Sequence, residues 1–195
     1  MYASLAQHVR DIINPSEHDM AYFLSTLNEV SLQKGAFLLQ PGVVVNQEYF
    51  VVSGCLKAYY MDARGNKHIL QFAIENWWIG DFEAFYNQSA SKLYIEAIED
   101  AKLLSLSYKA LQSVYSEAPI FERYFRVLVT KAFISQQKRI LSTQEKNTQE
   151  RYLEFCDAYP TIQNRIANYD IANYLGVTAE NLSRVRNTLK KLKIS

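Results

Sequence analysis

The stretch Tyr169 to Leu192, YDIANYLGVTAENLSRVRNTLKKL, decides how this chain reads. Ile171, Ala172, Leu175, Gly176, Val177, Leu182 and Val185 fall where two short helices joined by a tight turn would bury one shared face. Ala172 is small enough for close helix approach, Gly176 supplies a φ > 0 turn residue, and Leu182 and Val185 pin the second helix. The spacing therefore predicts a helix-turn-helix. Thr178 suits the N-cap of the second helix, because its hydroxyl can accept an orphan backbone N–H. Glu180, Asn181, Ser183, Arg184 and Asn187 remain off the buried face, available to a partner. From Asn181 to Ser195 there are five basic residues (Arg184, Arg186, Lys190, Lys191, Lys193) and no acidic one, as an element lying against phosphates requires. An ordinary antiparallel helix pair at a domain's end is the plainer alternative.

Working outward, the 195 residues suit one large domain or two small ones, and 49% hydrophobic against 21% charged residues excludes wholesale disorder. The net charge of +1 conceals an uneven distribution: six acidic residues lie between Glu75 and Asp100 with Lys92 as the one base among them, while the C-terminal end is basic. No apolar run approaches the roughly 20 residues of a membrane span, and MYASLAQHVRDII does not read as a signal peptide, so the expected location is cytoplasmic, away from membranes. Cys55 and Cys156 read as reduced thiols. With His8, His18 and His68 they form no metal-ligand cluster.

From Tyr2 to Val30 the apolar residues keep helical spacing, broken at Asn14-Pro15, which predicts two amphipathic helices with Ser16 capping the second. From Ser31 to Ser107 the period changes to short β-branched and aromatic segments: 37–40, 49–52, 56–61, 68–73, 93–98 and 102–107. Turn signals at Lys34-Gly35, Pro41-Gly42, Ser53-Gly54, Asp62 to Asn66 and Glu99-Asp100 separate them, which predicts a sandwich or barrel. A short helix should cover 108–115. From Pro119 to Ser142 there is no glycine and no further proline, and Phe121, Phe125, Leu128, Ala132 and Ser135 form a stripe. A helix of that length, over ~35 Å, is hard to cover with a small barrel, so it reads as a homodimer seam, with an intramolecular core helix as the other reading. The polar Ser142 to Thr148 is the expected linker, followed by a helix over 149–158. The domain expectations are a sensor barrel at 1–118, a connecting and dimerisation helix at 119–142, and a helix-turn-helix domain at 143–195, an α+β chain overall.

The order of parts resembles the Crp/Fnr family of bacterial transcription regulators, in which a cyclic-nucleotide-binding-type β-barrel controls a dimeric DNA-binding domain. The resemblance is carried by Lys34-Gly35 with Pro41-Gly42, by Tyr49 through Gly54, by the corner Gly80-Asp81-Phe82-Glu83, and by Asp170 through Arg184. The C-terminal stretch, with Glu150-Arg151-Tyr152 before it, is most similar to the divergent branch common in Bacteroidetes. The resemblance implies double-stranded DNA and a second copy as partners, with RNA polymerase as a further one, and no cofactor. Within the family, a glutamate after the corner glycine and an arginine about ten residues on hold the ribose and cyclic phosphate. Here Asp81 stands for the glutamate, Glu83 for a usual glycine, and Ser91 for the arginine, with Lys92 beside it. The added carboxylate and the missing guanidinium work against cAMP. The barrel is then expected to be empty or repurposed for an unidentified small-molecule effector. Trp77, Trp78, Phe82, Phe85 and Tyr86 either line a small apolar site or serve as core and cover.

The family pattern of a glutamate followed by serine and arginine on the recognition helix is kept by Glu180, Ser183 and Arg184. Arg184 can donate twice to guanine O6 and N7, and Glu180 can accept from cytosine N4–H₂. The resemblance implies a palindromic site with TTGA-type half-sites. Most members add a β-hairpin wing, whereas this sequence ends at Lys193-Ile194-Ser195, which places more reliance on the basic tail and dimerisation. Two functions of other classes compete. A cupin-type enzyme needs clustered histidines, and the barrel segment has His68 alone. A ligand-binding or protein-interaction barrel whose helix-turn-helix has lost DNA binding remains the alternative.

Overall fold

The computed structural model describes residues 1–192. Two helices lead in, α1 (Tyr2–Arg10) and α2 (Glu17–Ser25). Ser16 caps α2 by accepting the Asp19 backbone N–H at 3.0 Å, as the sequence predicts. Helix does not continue towards Val30. Ser25 and Thr26 turn their hydroxyls back onto the Tyr22 and Phe23 carbonyls, and the chain enters strand β1 (Asn28–Leu32). Val30 and Leu32 there alternate with Glu29 and Ser31, a period of two that belongs to a strand.

Seven more strands follow: β2 (Phe37–Leu39), β3 (Gln47–Ser53), β4 (Leu56–Met61), β5 (Lys67–Ala73), β6 (Trp78–Ile79), β7 (Tyr94–Ala97) and β8 (Ala101–Ser107), with helix α3 (Phe82–Asn87) between β6 and β7. They form two antiparallel four-stranded sheets in the orders β1-β8-β3-β6 and β2-β7-β4-β5. Phe50, Val51 and Leu104 from the first and Leu56, Ala58 and Ile95 from the second share one buried core. The hairpin between β4 and β5 falls where the sequence places it. Asp62 organises it by accepting the backbone N–H groups of Arg64 and Asn66, both at 2.9 Å.

Helices α4 (Tyr108–Glu117) and α5 (Ile120–Glu145) then close the barrel. Ser107 caps α4 through the Ala110 N–H at 3.1 Å. The first turns of α5 bury Phe121 and Tyr124 against α2, with Phe23 and Phe121 ring centroids 4.3 Å apart. Each such buried aromatic contributes about 1.5–3 kcal/mol relative to exposure. Beyond Leu128 one side of the helix is open, with Val129, Phe133, Ile134, Ile140 and Leu141 exposed, Phe133 by 62%, while Arg139 still reaches the barrel and donates to the Leu70 carbonyl at 2.6 Å.

Helix continues through the polar stretch to Glu145, so that Lys146 and Asn147 alone lie between α5 and α6 (Thr148–Ala158). Asn147 and Glu150 form a capping box at the start of α6. Glu154 of α6 takes the Ser142 hydroxyl and the Lys146 ammonium, stapling the two helices across the joint. After a single 3₁₀ turn at Ile162–Asn164 come α7 (Asn168–Leu175) and α8 (Ala179–Leu192). The helical unit packs onto the β4–β5 side of the barrel. Tyr59, Ile69 and Phe72 share a second core with Phe155, Tyr159, Ile171, Leu175 and Leu182. None of the helices among the described residues is long and apolar enough to cross a membrane.

Candidate functional site

Helices α7 and α8 build the helix-turn-helix from the residues the sequence singles out. Ile171, Ala172 and Leu182 are buried to 1% exposure or less. Gly176 ends α7 in the left-handed region at φ 66°, the conformation that favours glycine, and Val177 N–H returns to the Ala172 carbonyl at 2.9 Å. Thr178 accepts the Asn181 N–H at 3.2 Å, capping α8. Arg151 of α6 donates to the Leu175 carbonyl at 2.8 Å, satisfying an orphan acceptor at the end of α7.

The expected DNA contacts divide into two groups. Glu180, Ser183, Arg184, Asn187 and Lys190 lie on the exposed side of α8. Arg184 and Glu180 are 80% and 85% exposed and 3.9 Å apart, a contact too weak to hold either from a partner. By contrast, Asn181 donates to the Thr148 hydroxyl at 3.1 Å, and Arg186 donates to Asn168 Oδ1 at 3.0 Å and lies over the Tyr152 ring. Asn181 stays exposed and Arg186 half-buried, and their side chains tie α8 to α6 and α7. The side chain of Lys191, and Lys193 in the tail, lie outside the described residues.

Asn168 is a residue that the sequence reading missed. Its carboxamide accepts Arg186 and donates to Ser183 Oγ at 3.1 Å and to the Ala179 carbonyl at 3.2 Å, tying α7 to the first turns of α8. An asparagine two positions before Asp170 carries no periodic signal that would have marked it.

In the barrel, the corner residues separate. Asp81 is buried and caps α3 through the Ala84 N–H at 3.1 Å, while its second oxygen accepts the Ser91 hydroxyl at 2.7 Å. The pair closes on itself. Glu83 and Lys92 are exposed at the surface. Gly80 lies close against Glu48: a Cβ there would sit 2.3 Å from Glu48 Oε2, so the carboxyl would have to shift. Glu48, on β3, is the second residue that sequence reasoning missed. Its Oε1 has neither solvent contact nor hydrogen-bond partner, and burial, with a further contribution from Asp81, raises its carboxyl to about 8. Two carboxyl groups thus flank the corner.

Trp77, Trp78, Phe82, Phe85 and Tyr86 all border a cavity of about 740 Å³, together with Gly80, Glu48, the middle of α5, and Tyr159 and Tyr174 of the helical unit. Asp81, Glu83, Ser91 and Lys92 do not border it. The chamber is therefore aromatic, and it touches all three parts of the chain.

Residues 29–118 match the cyclic nucleotide-binding domain family. The electron transport regulator A of Shewanella oneidensis is 25% identical over 174 residues, covering 82% of this chain and 68% of that protein. The fumarate and nitrate reduction regulatory protein of Vibrio cholerae is also 25% identical over 174 residues, covering 84% and 69%. Among solved structures, FixK2 from Bradyrhizobium japonicum superposes with a TM-score of 0.74 at 20% identity, covering 86% of each chain. The catabolite activator protein of Thermus thermophilus gives a TM-score of 0.56 at 16% identity, covering 91% of this chain and 85% of that one. A cyclic-nucleotide-binding-type barrel, a long helix and a C-terminal helix-turn-helix in this order define the class. The match over residues 29–118 shows a cyclic nucleotide-binding domain in this chain, and the likeness to the two regulators above extends over 82% and 84% of its length, through the helix-turn-helix.

Proposed function

We propose that this chain is a cytoplasmic, sequence-specific regulator that binds double-stranded DNA as a homodimer, reading a palindrome of TTGA-type half-sites. The observation that carries the proposal is the open face of α8, where Glu180 and Arg184 stand exposed on a helix anchored by the fully buried Leu182. Helices of this kind present their N-terminal side chains to base edges in the major groove. Arg184 supplies the bidentate donor for guanine and Glu180 the acceptor for cytosine. The kinship with the divergent Bacteroidetes-type branch rests on the stretch YDIANYLGVTAENLSRVR.

The homodimer forms along α5. Val129, Phe133 and Ile140 recur at spacings of four and seven and are exposed, as one strip of a helix-helix seam would be before its partner is added. The barrel does not take cAMP. Asp81 places a carboxylate at the corner where an anionic phosphate would sit, its partner is the neutral Ser91, and Glu48, its carboxyl raised to about 8 by burial, supplies no positive charge there. Its effector, where one acts, is a small apolar molecule suited to the aromatic chamber. An electrophoretic mobility shift against a random-sequence pool, at two stated salt concentrations, tests DNA binding. A retarded complex that weakens with salt supports the proposal, and no complex at low salt refutes it in favour of an interaction module.

A further inference from the structure

Strand β5 ends its sheet, so its outer edge presents backbone groups that no strand pairs. Helix α7 covers part of that edge, and one side chain substitutes for the missing strand. The Ile69 N–H donates to Asn173 Oδ1 at 2.8 Å, and Asn173 Nδ2 donates to the Lys67 carbonyl. A single carboxamide thus presents the donor and acceptor that a neighbouring strand would offer. One turn earlier on α7, Asp170 Oδ2 accepts Lys57 Nζ of β4 at 3.0 Å, with the two side chains 12% and 10% exposed. Glu96 of β7 stands on the other side of Lys57 at 3.6 Å, and its carboxylate also accepts the Tyr59 hydroxyl. Neither Asp170 nor Asn173 faces the open side of α8, and DNA contact does not explain their burial against the barrel.

The covalent route between the two units is short and jointed. Lys146 and Asn147 are the two non-helical residues between α5 and α6, whereas α5 is anchored to the barrel by Phe121 and Tyr124. The Glu154 staple at the joint, the Arg165 pairs with Glu75 and Glu99, Arg139 of α5 over the Tyr174 ring and the shared aromatic core hold the helical unit to the rest of the chain, and the contacts of α7 with β4 and β5 add the polar mount nearest to α8.

We infer that Lys57, Asp170 and Asn173 are positioning residues for DNA reading: they hold α8 at one distance from the α5 seam and so set the spacing between half-sites. The inference rests on the dimeric DNA-binding reading above. In a two-fold dimer the separation of the recognition helices must match the repeat of the duplex, so a fixed mount selects one spacer length. A loosened mount accepts several, at lower affinity for the best one, because the second half-site then binds at a reduced effective concentration.

The test is selection of bound DNA from libraries with two half-sites and a variable spacer, run on the wild-type chain and on the triple variant Lys57→Ala, Asp170→Ala, Asn173→Ala. Removing both members of the ion pair avoids leaving one charge buried alone, and Glu96 keeps Tyr59 and Lys67. The expected result is the same half-site sequence, a spacer distribution broadened from one length to several, and palindrome affinity lowered by ~10-fold. Affinity for an isolated half-site stays unchanged, a readout that general damage to the fold would move. A folded triple variant with the wild-type spacer and palindrome affinity overturns the inference. Should the triple variant not fold, Asn173→Ala alone is read the same way. Broadened spacing with faster amide exchange at Ile69 supports the inference, and unchanged spacing overturns it. A wild-type chain that selects no paired half-sites overturns the dimeric reading together with this one, whereas wild-type selection with unaltered variants overturns this inference alone.

Discussion

Replacing Glu48 with glutamine should stabilise the protein at alkaline pH and leave it unchanged near pH 4.5. Glu48 Oε1 is buried without a partner beside Gly80, and burial followed by the field of Asp81 raises its carboxyl from 4.5 to about 8. Because the folded midpoint lies above the unfolded one, the folded state holds an extra proton between those two values. Stability is complete below about pH 4.5, falls as pH rises, and levels off above about 8. Moving the midpoint that far corresponds to at most ~5 kcal/mol, at ~1.4 kcal/mol per tenfold change. Water entering the adjoining cavity lowers this, so ~2–4 kcal/mol is the expected gain for Glu48→Gln at pH 8.5. Urea unfolding of both proteins at half-unit steps from pH 4.5 to 9 isolates this group, since other titrations cancel in the difference. A flat difference across that range would refute the buried, protonated carboxyl.

The same geometry leads to four further outcomes. Arg184→Ala should cost ~1–3 kcal/mol at one base pair and relax preference there, while Lys190→Ala weakens all sequences alike and lowers the salt slope by about one, both read by quantitative mobility shift. Phe133→Glu places a charge in the exposed apolar strip of α5 and should shift sedimentation from dimer to monomer at micromolar concentration, with the thermal midpoint of the barrel retained. Titration calorimetry with cAMP should show no heat of binding up to millimolar ligand, and micromolar affinity would contradict the reading of Asp81 and Ser91.

The parts of this molecule that were legible in the sequence are those with a local period or a local turn. The helix-turn-helix announces itself because Ile171, Ala172, Gly176 and Leu182 must sit at fixed offsets for two helices to pack. Six strand segments and the Asp62 hairpin were visible for the same kind of reason. The first strand was not, because Val30 and Leu32 follow directly on the helical spacing of α2, and pairing with β8 makes Asn28–Leu32 a strand. The polar residues Ser142 to Glu145 resemble a linker in composition. They are helix because Glu154, twelve residues beyond Ser142, holds the joint. At the site, exposed positions such as Glu180 and Arg184 were readable, since the surface of an amphipathic helix follows from its core. Partnerships across long separations were not. Glu48 against Gly80, Asn173 against Lys67 and Ile69, and Asp170 against Lys57 exist only once sheet and helix meet. The same holds for the contacts of Asn181 with Thr148 and of Arg186 with Asn168 and the Tyr152 ring.

The central claim, that α8 reads DNA through Glu180 and Arg184, is tested most directly by sequencing the DNA that the purified chain retains from a fully randomised library. The account predicts a palindrome with TTGA-type half-sites in which Arg184→Ala loses preference at a single guanine of each half. Recovery of sequences with no common motif, or of the same motif with the same preferences from Arg184→Ala, would contradict it.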